Sequence, residues 1–176
     1  MGAFTFNMKL VPDSLKAGLA AVRPDHPGRF GAGKGALALS FVEDSALGRD
    51  SVASAVDKAG VTLRFGSRSA AFRGLGRLLS AATRSDLAFS ESSEYTMRGL
   101  MADCSRNGVL RPDAAREFMR RSALMGVNML MLYTEDTYDV PGEPFFGYLR
   151  GGYTSLEMMA LDDYADAIGI ELIPCI

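Results

Sequence analysis

Charged side chains follow two segments of the chain that are predicted to be neighbouring β-strands. Arg106 comes shortly after the extended segment 98–103, and Glu135 and Asp136 come just after the apolar segment 128–133. Parallel α/β folds place their chemistry at the carboxyl ends of the strands, so these three side chains are expected at one edge of a sheet. A guanidinium and carboxylates there can hydrogen-bond the vicinal hydroxyls of a sugar. A structural ion pair between the two loops would use the same residues.

Aromatic residues crowd the segment after the second of these strands. They are Tyr133, Tyr138, Phe145, Phe146, Tyr148 and Tyr153. Exposed aromatic rings near strand ends can stack on the apolar face of a sugar, but such rings also pack long loops. Both interpretations stay open at this point.

The second half of the chain alternates strands and helices. The predicted order is an extended segment over 98–103, a helix over 112–125 that Pro112 starts and Gly126 ends, and a strand over 128–133. A helix over 155–168 and a strand over 170–176 follow. The helix over 155–168 is expected to turn one side inward, made of Leu156, Met159, Ala160, Tyr164, Ala167 and Ile168. This β-α-β-α-β pattern fits either a doubly wound sheet or an eight-fold barrel.

The first half is predicted to be a small α+β module. Residues 36–42 and 61–65 have the length and composition of strands, and 68–82 has the apolar periodicity of a helix that lies on a sheet. Residues 51–58 are interpreted as a short helix. The polar segment 84–94, which contains four serines, is interpreted as a linker or crossing loop between the two halves.

The composition argues against two classes of partner. The 176 residues include 19 basic and 21 acidic ones, and the resulting formal net charge of −2 disfavours nucleic acid and anionic membranes. No apolar run reaches the roughly 18 to 20 residues that span a bilayer, and no export signal precedes the first predicted strand. Two cysteines in such a chain fit a reducing compartment, so a cytoplasmic protein is expected.

No metal or cofactor is expected. His26 is the one histidine, and the spacing of Cys104 and Cys175 suits no zinc template. The glycine-rich segment 31–35 contains Lys34, but Gly35 stands where a phosphate-binding loop has the Ser or Thr that holds magnesium. An ordinary glycine turn is the better interpretation.

Three sequence motifs in the second half resemble one known family. The run RGLMADCSRNG from Arg98, the run GVNMLMLYTED from Gly126 and the run GIELIP from Gly169 occur in the order and spacing of the first three strands of the catalytic barrel of family 20 glycoside hydrolases, the β-N-acetylhexosaminidases. The segment VTLRFGSRSAAFRGLGRLL is similar to the small α+β domain that precedes this barrel. The resemblance implies an α+β domain over 1–90 and the first βα units of a (β/α)8 barrel over 91–176.

The resemblance also implies roles for individual residues. Arg106 takes the position of an arginine that holds hydroxyls of the terminal sugar, and Asp136 takes that of an acid that supports the site; Glu135 is a further candidate for substrate binding. The catalytic Asp-Glu pair and a supporting His of the family fall beyond Ile176. The chain departs from the common pattern at Asn107, where many members have His, and at the YTED that ends the second strand.

The family implies a substrate and a mechanism. Its members remove terminal β-linked N-acetylhexosamine by a retaining reaction in which the acetamido oxygen of the sugar is the nucleophile. A complete barrel needs roughly 250 residues, so the chain is interpreted as an N-terminal fragment that is inactive alone and self-associates through its uncovered strands. The alternative is a non-catalytic carbohydrate-binding or assembly module.

Overall fold

The computed structural model describes residues 2–106 and 108–176, which form two β-sheets and four α-helices. The strands are β1 Phe4–Thr5, β2 Leu37–Glu43, β3 Ser51–Val56, β4 Val61–Phe65, β5 Phe89–Ser92, β6 Gly99–Asp103, β7 Met129–Tyr133 and β8 Glu171–Cys175. The helices are α1 Asp13–Val22, α2 Arg68–Ser80, α3 Pro112–Met125 and α4 Ser155–Ala167. The mixed α and β composition expected from the sequence is confirmed, while β1 and α1 were not anticipated.

The first sheet has five strands in the order β1-β2-β4-β3-β5. β2 runs parallel to β1 and β4, whereas β3 runs antiparallel to β4 and β5. Leu39 and Phe41 of β2 and Leu63 and Phe65 of β4 are buried, and the residues between them are more exposed. This alternation of period two gives the sheet one apolar face. Helix α2 packs on β3 and β4 and helps to cover it.

The interpretation of 51–58 as a short helix is wrong, because residues Ser51–Val56 form β3. Val52 and Ser54 of this strand are buried while Ala55 is exposed, as the period of a strand requires. A tight turn then returns the chain into β4: Asp57 Oδ1 accepts hydrogen bonds from the backbone N–H groups of Ala59 and Gly60 at 2.7 and 3.0 Å. The conformation of this segment is therefore set by its pairing with β4, because its small residues have only a weak secondary-structure propensity of their own.

The interpretation of 84–94 as a linker is also wrong in part, because Phe89–Ser92 forms the edge strand β5. Glu91 attaches this strand to α2 by accepting hydrogen bonds from Arg73 at 3.0 Å and from Arg77. The guanidinium of Arg77 also lies over the ring of Phe89, 5.0 Å from its centre. The proposed domain boundary at residues 90 and 91 stays a prediction.

The second sheet contains β6, β7 and β8 in that order, and all three strands are parallel. The predicted β-α-β-α-β order is therefore confirmed. Leu130, Leu132 and Leu172 are buried in the hydrophobic core that α3 and α4 share. The alternate residues lie on the opposite face, where Met101, Met131 and Ile173 are in register. Self-association through the exposed strands stays a prediction.

Helix α4 buries a different face from the expected one. Of the expected residues Ile168 is buried, but Leu156 and Met159 are 78% and 65% exposed. Leu161 and Ala165, which were not expected to face inward, are buried in their place. The apolar residues of this helix are distributed around much of its circumference, so their periodicity alone does not predict which side faces inward. The helix starts at Thr154, which forms a capping box with Glu157, and it packs on α1, α3 and β8. These neighbours select the buried face.

The two sheets are joined by contacts between helix backbones. α2 packs on α3, and α1 packs on α4. A Cβ atom at Gly76 of α2 would lie 2.0 Å from the carbonyl oxygen of Leu124, and one at Gly18 of α1 would lie 2.3 Å from that of Ala167. Only glycine allows chains to approach this closely. Both glycines are therefore required by the packing between the helices.

Ion pairs add to this junction. Arg120 of α3 holds Asp25 through two hydrogen bonds of 2.6 and 3.2 Å and also donates to the hydroxyl of Tyr164 at 2.9 Å. Arg98, just before β6, donates to Asp50, just before β3, at 3.0 Å. The two sheets are thus held in one orientation by both apolar and charged contacts. Among the helices described, none is long and apolar enough to cross a membrane.

Gly76→Ala is expected to destabilise the chain by about 1 to 3 kcal/mol, because the added methyl group collides with the backbone of Leu124. At an ordinary helix position the same change stabilises by up to about 1 kcal/mol, so the expected sign is reversed. Urea denaturation measures the free energy of unfolding. Gly31→Ala is the control, since nothing lies within 4 Å of its Cβ; stabilisation by Gly76→Ala would contradict the close contact.

Candidate functional site

The carboxyl ends of β6, β7 and β8 form one edge of the parallel sheet. Asp103, Tyr133 and Cys175 occupy the same row of the sheet, on the face turned away from the buried leucines. The backbone N–H of Cys104 donates to the carbonyl of Tyr133 at 2.9 Å, and that of Thr134 donates to the carbonyl of Cys175 at 2.8 Å. These bonds continue the ladder past the strand ends and fix where the following side chains begin.

Arg106 and Glu135 meet at this edge. The guanidinium Nη2 of Arg106 donates to Oε1 of Glu135 at 3.3 Å, and the hydroxyl of Tyr133 donates to the same oxygen at 2.9 Å. The side chain of Arg106 is 68% exposed and that of Glu135 is 35% exposed. Glu135 has a φ of +49°, which turns the chain sharply after β7. The cluster is thus open to solvent and offers both donors and acceptors.

The cluster stabilises the ionised form of Glu135. The hydrogen bond from Tyr133, followed by those interactions that Arg106 supplies, lowers the pKa of the Glu135 carboxyl. The same hydrogen bond raises the pKa of Tyr133. A general acid needs a carboxyl whose pKa is raised, so Glu135 is suited to hold an anionic, hydrogen-bond-accepting position and not to protonate a leaving group.

Asp103 completes the surroundings of Arg106. Its Oδ1 accepts hydrogen bonds from the backbone N–H of Ser105 at 2.8 Å and from the Ser105 hydroxyl at 2.7 Å. These bonds lower the pKa of Asp103, and the nearby charge of Arg106 acts in the same direction. Asp103 therefore shapes the turn that carries Arg106 beyond the end of β6.

Asp136 lies beside a different partner. Its Oδ1 is buried and lies 2.8 Å from Nη1 of Arg150, which comes from the long loop that follows β7. Glu135 and Asp136 are neighbours in the sequence, but their side chains lie in different surroundings. Both residues lie past the end of β7 in a turn, not on the strand. The structure brings Arg106 and Glu135 together and leaves Asp136 to anchor the loop.

Tyr133 is the member of the cluster that sequence reasoning missed. It was grouped with five other aromatic residues, although a usable signal was present. Tyr133 is the last residue of the predicted strand and comes two positions before the candidate acid Glu135, so it is close enough in the chain to contact that carboxylate. Asn107, where the sequence departs from the common pattern, lies outside the described residues.

The aromatic loop after β7 divides into packed and exposed residues. Tyr153 is 1% exposed, pairs with Tyr138 in a short β-bridge and donates its hydroxyl to the carbonyl of Leu110 at 2.7 Å. Burial raises its pKa. Phe145 and Tyr148, in contrast, are 80% and 66% exposed. Packing thus explains the base of the loop but not its tip.

Two clefts lie at opposite edges of the parallel sheet. A cleft of 390 Å³ at the carboxyl edge is lined mainly by apolar surface and includes Tyr138, Met158 and Pro174. A larger one of 910 Å³ lies at the amino edge, where two of its lining carboxylates are already paired, Asp50 with Arg98 and Asp166 with Arg68. The described residues contain no group of three His, Cys, Asp or Glu side chains placed to hold a metal ion.

Comparison with known proteins finds this fold among solved structures. No family model and no curated protein matches the chain. Among solved structures, the family 20 exo-β-N-acetylglucosaminidase of Vibrio harveyi, in complex with N-acetylglucosamine, has a TM-score of 0.75 at 16% identity and covers 98% of this chain and 32% of its own. The chitobiase of Flavobacterium johnsoniae has a TM-score of 0.71 at 21% identity, covering 97% and 31%.

A third structure gives the same result. The family 20 β-N-acetylhexosaminidase of Streptomyces coelicolor has a TM-score of 0.66 at 19% identity and covers 98% of this chain and 41% of its own. The resemblance found in the sequence is therefore confirmed at the level of the fold. The chain spans between 31% and 41% of the length of these three proteins.

Tyr133→Phe is expected to raise the pKa of Glu135, because it removes the hydroxyl that stabilises the carboxylate. Carbon-13 NMR titration of the Glu135 carboxyl reports this pKa directly. Since the folded-state pKa is lowered, the stabilisation from this cluster is present above the ordinary pKa of glutamate and is lost as the pH falls through the lowered value.

The control for this titration is Tyr95→Phe, which changes an exposed tyrosine four residues before β6. It should leave the titration midpoint of Glu135 where it is in the parent chain. An equal midpoint in Tyr133→Phe and the parent would show that the tyrosine does not bind the carboxylate in solution.

Proposed function

We propose that the chain belongs to glycoside hydrolase family 20 and forms the N-terminal part of an enzyme that removes terminal β-linked N-acetylhexosamine. One observation carries the proposal: the three motifs that resemble this family lie on or next to three adjacent parallel strands of a fold that matches family 20 structures over nearly the whole chain. The sequence motifs and the fold thus point to the same family.

The fold of the complete enzyme in this proposal is a (β/α)8 barrel. β6, β7 and β8 are its first three strands, and the face that carries Met101, Met131 and Ile173 is its interior. The five-stranded sheet is the domain that precedes the barrel. In such barrels the site is built at the carboxyl ends of the strands, which is where Arg106 and Glu135 meet.

Arg106 is assigned to the sugar hydroxyls. Its guanidinium is exposed, donates to Glu135 through Nη2, and has further N–H donors that the described residues leave free. Glu135 orients Arg106 and offers its remaining oxygen to a hydroxyl. Asp136 acts at a distance by fixing the loop through Arg150.

The reaction assigned to the complete enzyme is retaining and substrate-assisted. The acetamido oxygen of the sugar attacks the anomeric carbon while a carboxylic acid protonates the leaving oxygen. The pKa values of the Glu135 and Asp103 carboxyl groups are both lowered by their hydrogen bonds, so neither residue serves as that acid. The acid and its partner are expected from the segment that the family places after its fourth strand.

A non-catalytic sugar-binding module is the second candidate. The ionised, solvent-exposed Arg106 and Glu135 fit binding of hydroxyls without chemistry. The coding sequence that follows Ile176 distinguishes the two candidates. An Asp-Glu pair about one βα unit further on supports the enzyme, whereas a stop codon there supports the module.

Hydrolysis of an aryl N-acetyl-β-glucosaminide tests the activity directly. The complete protein that carries this chain is expected to release the aryl alcohol, and the 176-residue chain alone is expected to release none. Cleavage of a different aryl glycoside in place of this one would overturn the assigned substrate. Turnover by the purified 176-residue chain that Glu135→Gln abolishes would overturn the inactivity.

Arg106→Ala in the complete protein is expected to lower kcat/KM by about 10- to 100-fold, since a charged donor to the substrate is lost. Steady-state kinetics on the aryl substrate measure the effect. Arg121→Ala is a matched control, because Arg121 is 74% exposed and pairs with Glu117 on the surface of α3. A lower melting temperature with unchanged kcat/KM in Arg106→Ala would reduce this residue to a structural ion pair.

A further inference from the structure

Tyr153 is the largest of the fully buried side chains that the structure describes, and it is 1% exposed. It lies at the end of the long loop after β7, next to Thr154, where α4 begins. An apolar residue could fill the same space, but a tyrosine also brings a hydroxyl that needs a hydrogen-bond partner when it is buried. The partners of this hydroxyl therefore indicate what the residue does besides packing.

The hydroxyl of Tyr153 meets both ends of the segment that carries Arg106. It donates to the carbonyl of Leu110 at 2.7 Å, and the Sγ of Cys104 lies 3.8 Å from the same hydroxyl oxygen. Cys104 and Ser105 are buried, whereas Arg106 is exposed. The exposed arginine thus belongs to a segment whose two ends are joined through one buried hydroxyl.

The backbone of Tyr153 holds the turn that carries Glu135. Its N–H donates to the carbonyl of Thr137 at 3.0 Å, and its carbonyl accepts from the N–H of Asp139 at 2.9 Å. Thr137 in turn donates to the carbonyl of Thr134 from its backbone N–H at 2.9 Å and from its hydroxyl at 2.8 Å. Both threonines are buried, and Glu135 lies between them in the chain. The turn of the carboxylate is therefore anchored to the backbone of Tyr153.

We propose that Tyr153 is a positioning residue for the pair of Arg106 and Glu135: its hydroxyl fixes the segment of the arginine, and its backbone fixes the turn of the carboxylate. This inference rests on the proposed function, in which the pair binds the terminal sugar. The ion pair itself, at 3.3 Å and open to solvent, contributes little to holding the two loops together. The buried connections through Tyr153 hold them.

These connections lie inside the chain. Cys104 and Tyr153 belong to the continuous hydrophobic core, and Leu110 packs against it. The contacts of a buried hydroxyl are defined by the residues that surround it, whatever covers the outer faces of the chain. In the complete protein the same hydroxyl is therefore expected between the same two groups. A hydrogen bond in apolar surroundings is strong and directional, so it can fix the position of a loop.

Tyr153→Phe tests the positioning role, because it keeps the buried ring and removes only the hydroxyl. In the 176-residue chain, carbon-13 NMR titration is expected to show a higher pKa for Glu135, because the carboxylate loses part of the stabilisation that Arg106 supplies. In the complete protein, kcat/KM for an aryl N-acetyl-β-glucosaminide is expected to fall about 3- to 10-fold. Melting curves set a temperature at which every variant is folded.

Two further variants separate positioning from stability. Tyr153→Phe should cause no further loss of kcat/KM when it is added to Arg106→Ala, because it acts through that arginine. Replacement of Tyr153 by 4-aminophenylalanine keeps both the ring and a donor for the carbonyl of Leu110. This variant is expected to restore the pKa of Glu135 to the value in the parent chain.

The matched control is Tyr164→Phe, which removes a half-buried hydroxyl that accepts a hydrogen bond from Arg120 between α4 and α3. It should leave both the pKa of Glu135 and kcat/KM unchanged. A lower melting temperature in Tyr153→Phe with an unchanged pKa of Glu135 would reduce Tyr153 to a packing residue. An undiminished loss of kcat/KM when Tyr153→Phe is added to Arg106→Ala would overturn the action through Arg106.

The positioning role and the proposed activity can fail separately. If Tyr153→Phe raises the pKa of Glu135 while the complete protein hydrolyses nothing, the proposed activity alone is overturned. If the complete protein hydrolyses the substrate while Tyr153→Phe leaves the pKa of Glu135 unchanged, the positioning role alone is overturned.

Discussion

The close contact between helix backbones at Gly76 and Leu124 is the constraint on which the rest of the structure depends. It brings α2, which lies on the five-stranded sheet, against α3, which lies on the parallel sheet. A second contact, between Gly18 and Ala167, does the same for α1 and α4. With the backbones in contact, one continuous hydrophobic core extends from the first sheet to the second. The parallel strands are thereby fixed by contacts on one of their two faces, and the other face stays open.

The open face and the carboxyl edge carry the residues of the candidate site. Asp103 and Tyr133 are turned toward that face because the side chains of a strand alternate, and Leu130 and Leu132 occupy the buried side. The candidate site is therefore a consequence of strand parity. The turn at Glu135 then brings its carboxylate back toward Tyr133, where it meets Arg106.

The sequence predicted those elements whose limits are set by local chemistry. Pro112 and Gly126 bound α3, and the apolar run before Tyr133 is long enough for a buried strand. It failed at β3, where small residues carry little propensity and a hairpin partner decides the conformation. The sequence also failed to predict the whole buried face of α4. Apolar residues are distributed around this helix, and the neighbouring elements determine which of them are covered.

The site was predictable to a similar extent and for similar reasons. The positions of Arg106 and Glu135 after two predicted parallel strands were sufficient to expect them at one edge, since parallel strands end together. The ion pair of Asp136 with Arg150 was not expected, because that arginine is 14 residues away in a loop whose path no pattern specifies. Long loops are positioned by contacts that appear only after the strands have assembled.

The most direct test of the account is a crystal structure of the complete protein with N-acetylglucosamine bound. We expect the sugar to lie at the carboxyl edge of the parallel sheet, with its hydroxyls within hydrogen-bond distance of the Arg106 guanidinium. A sugar bound at the amino edge, among Asp50, Asp166 and Glu171, or one that makes no contact with Arg106, would contradict it.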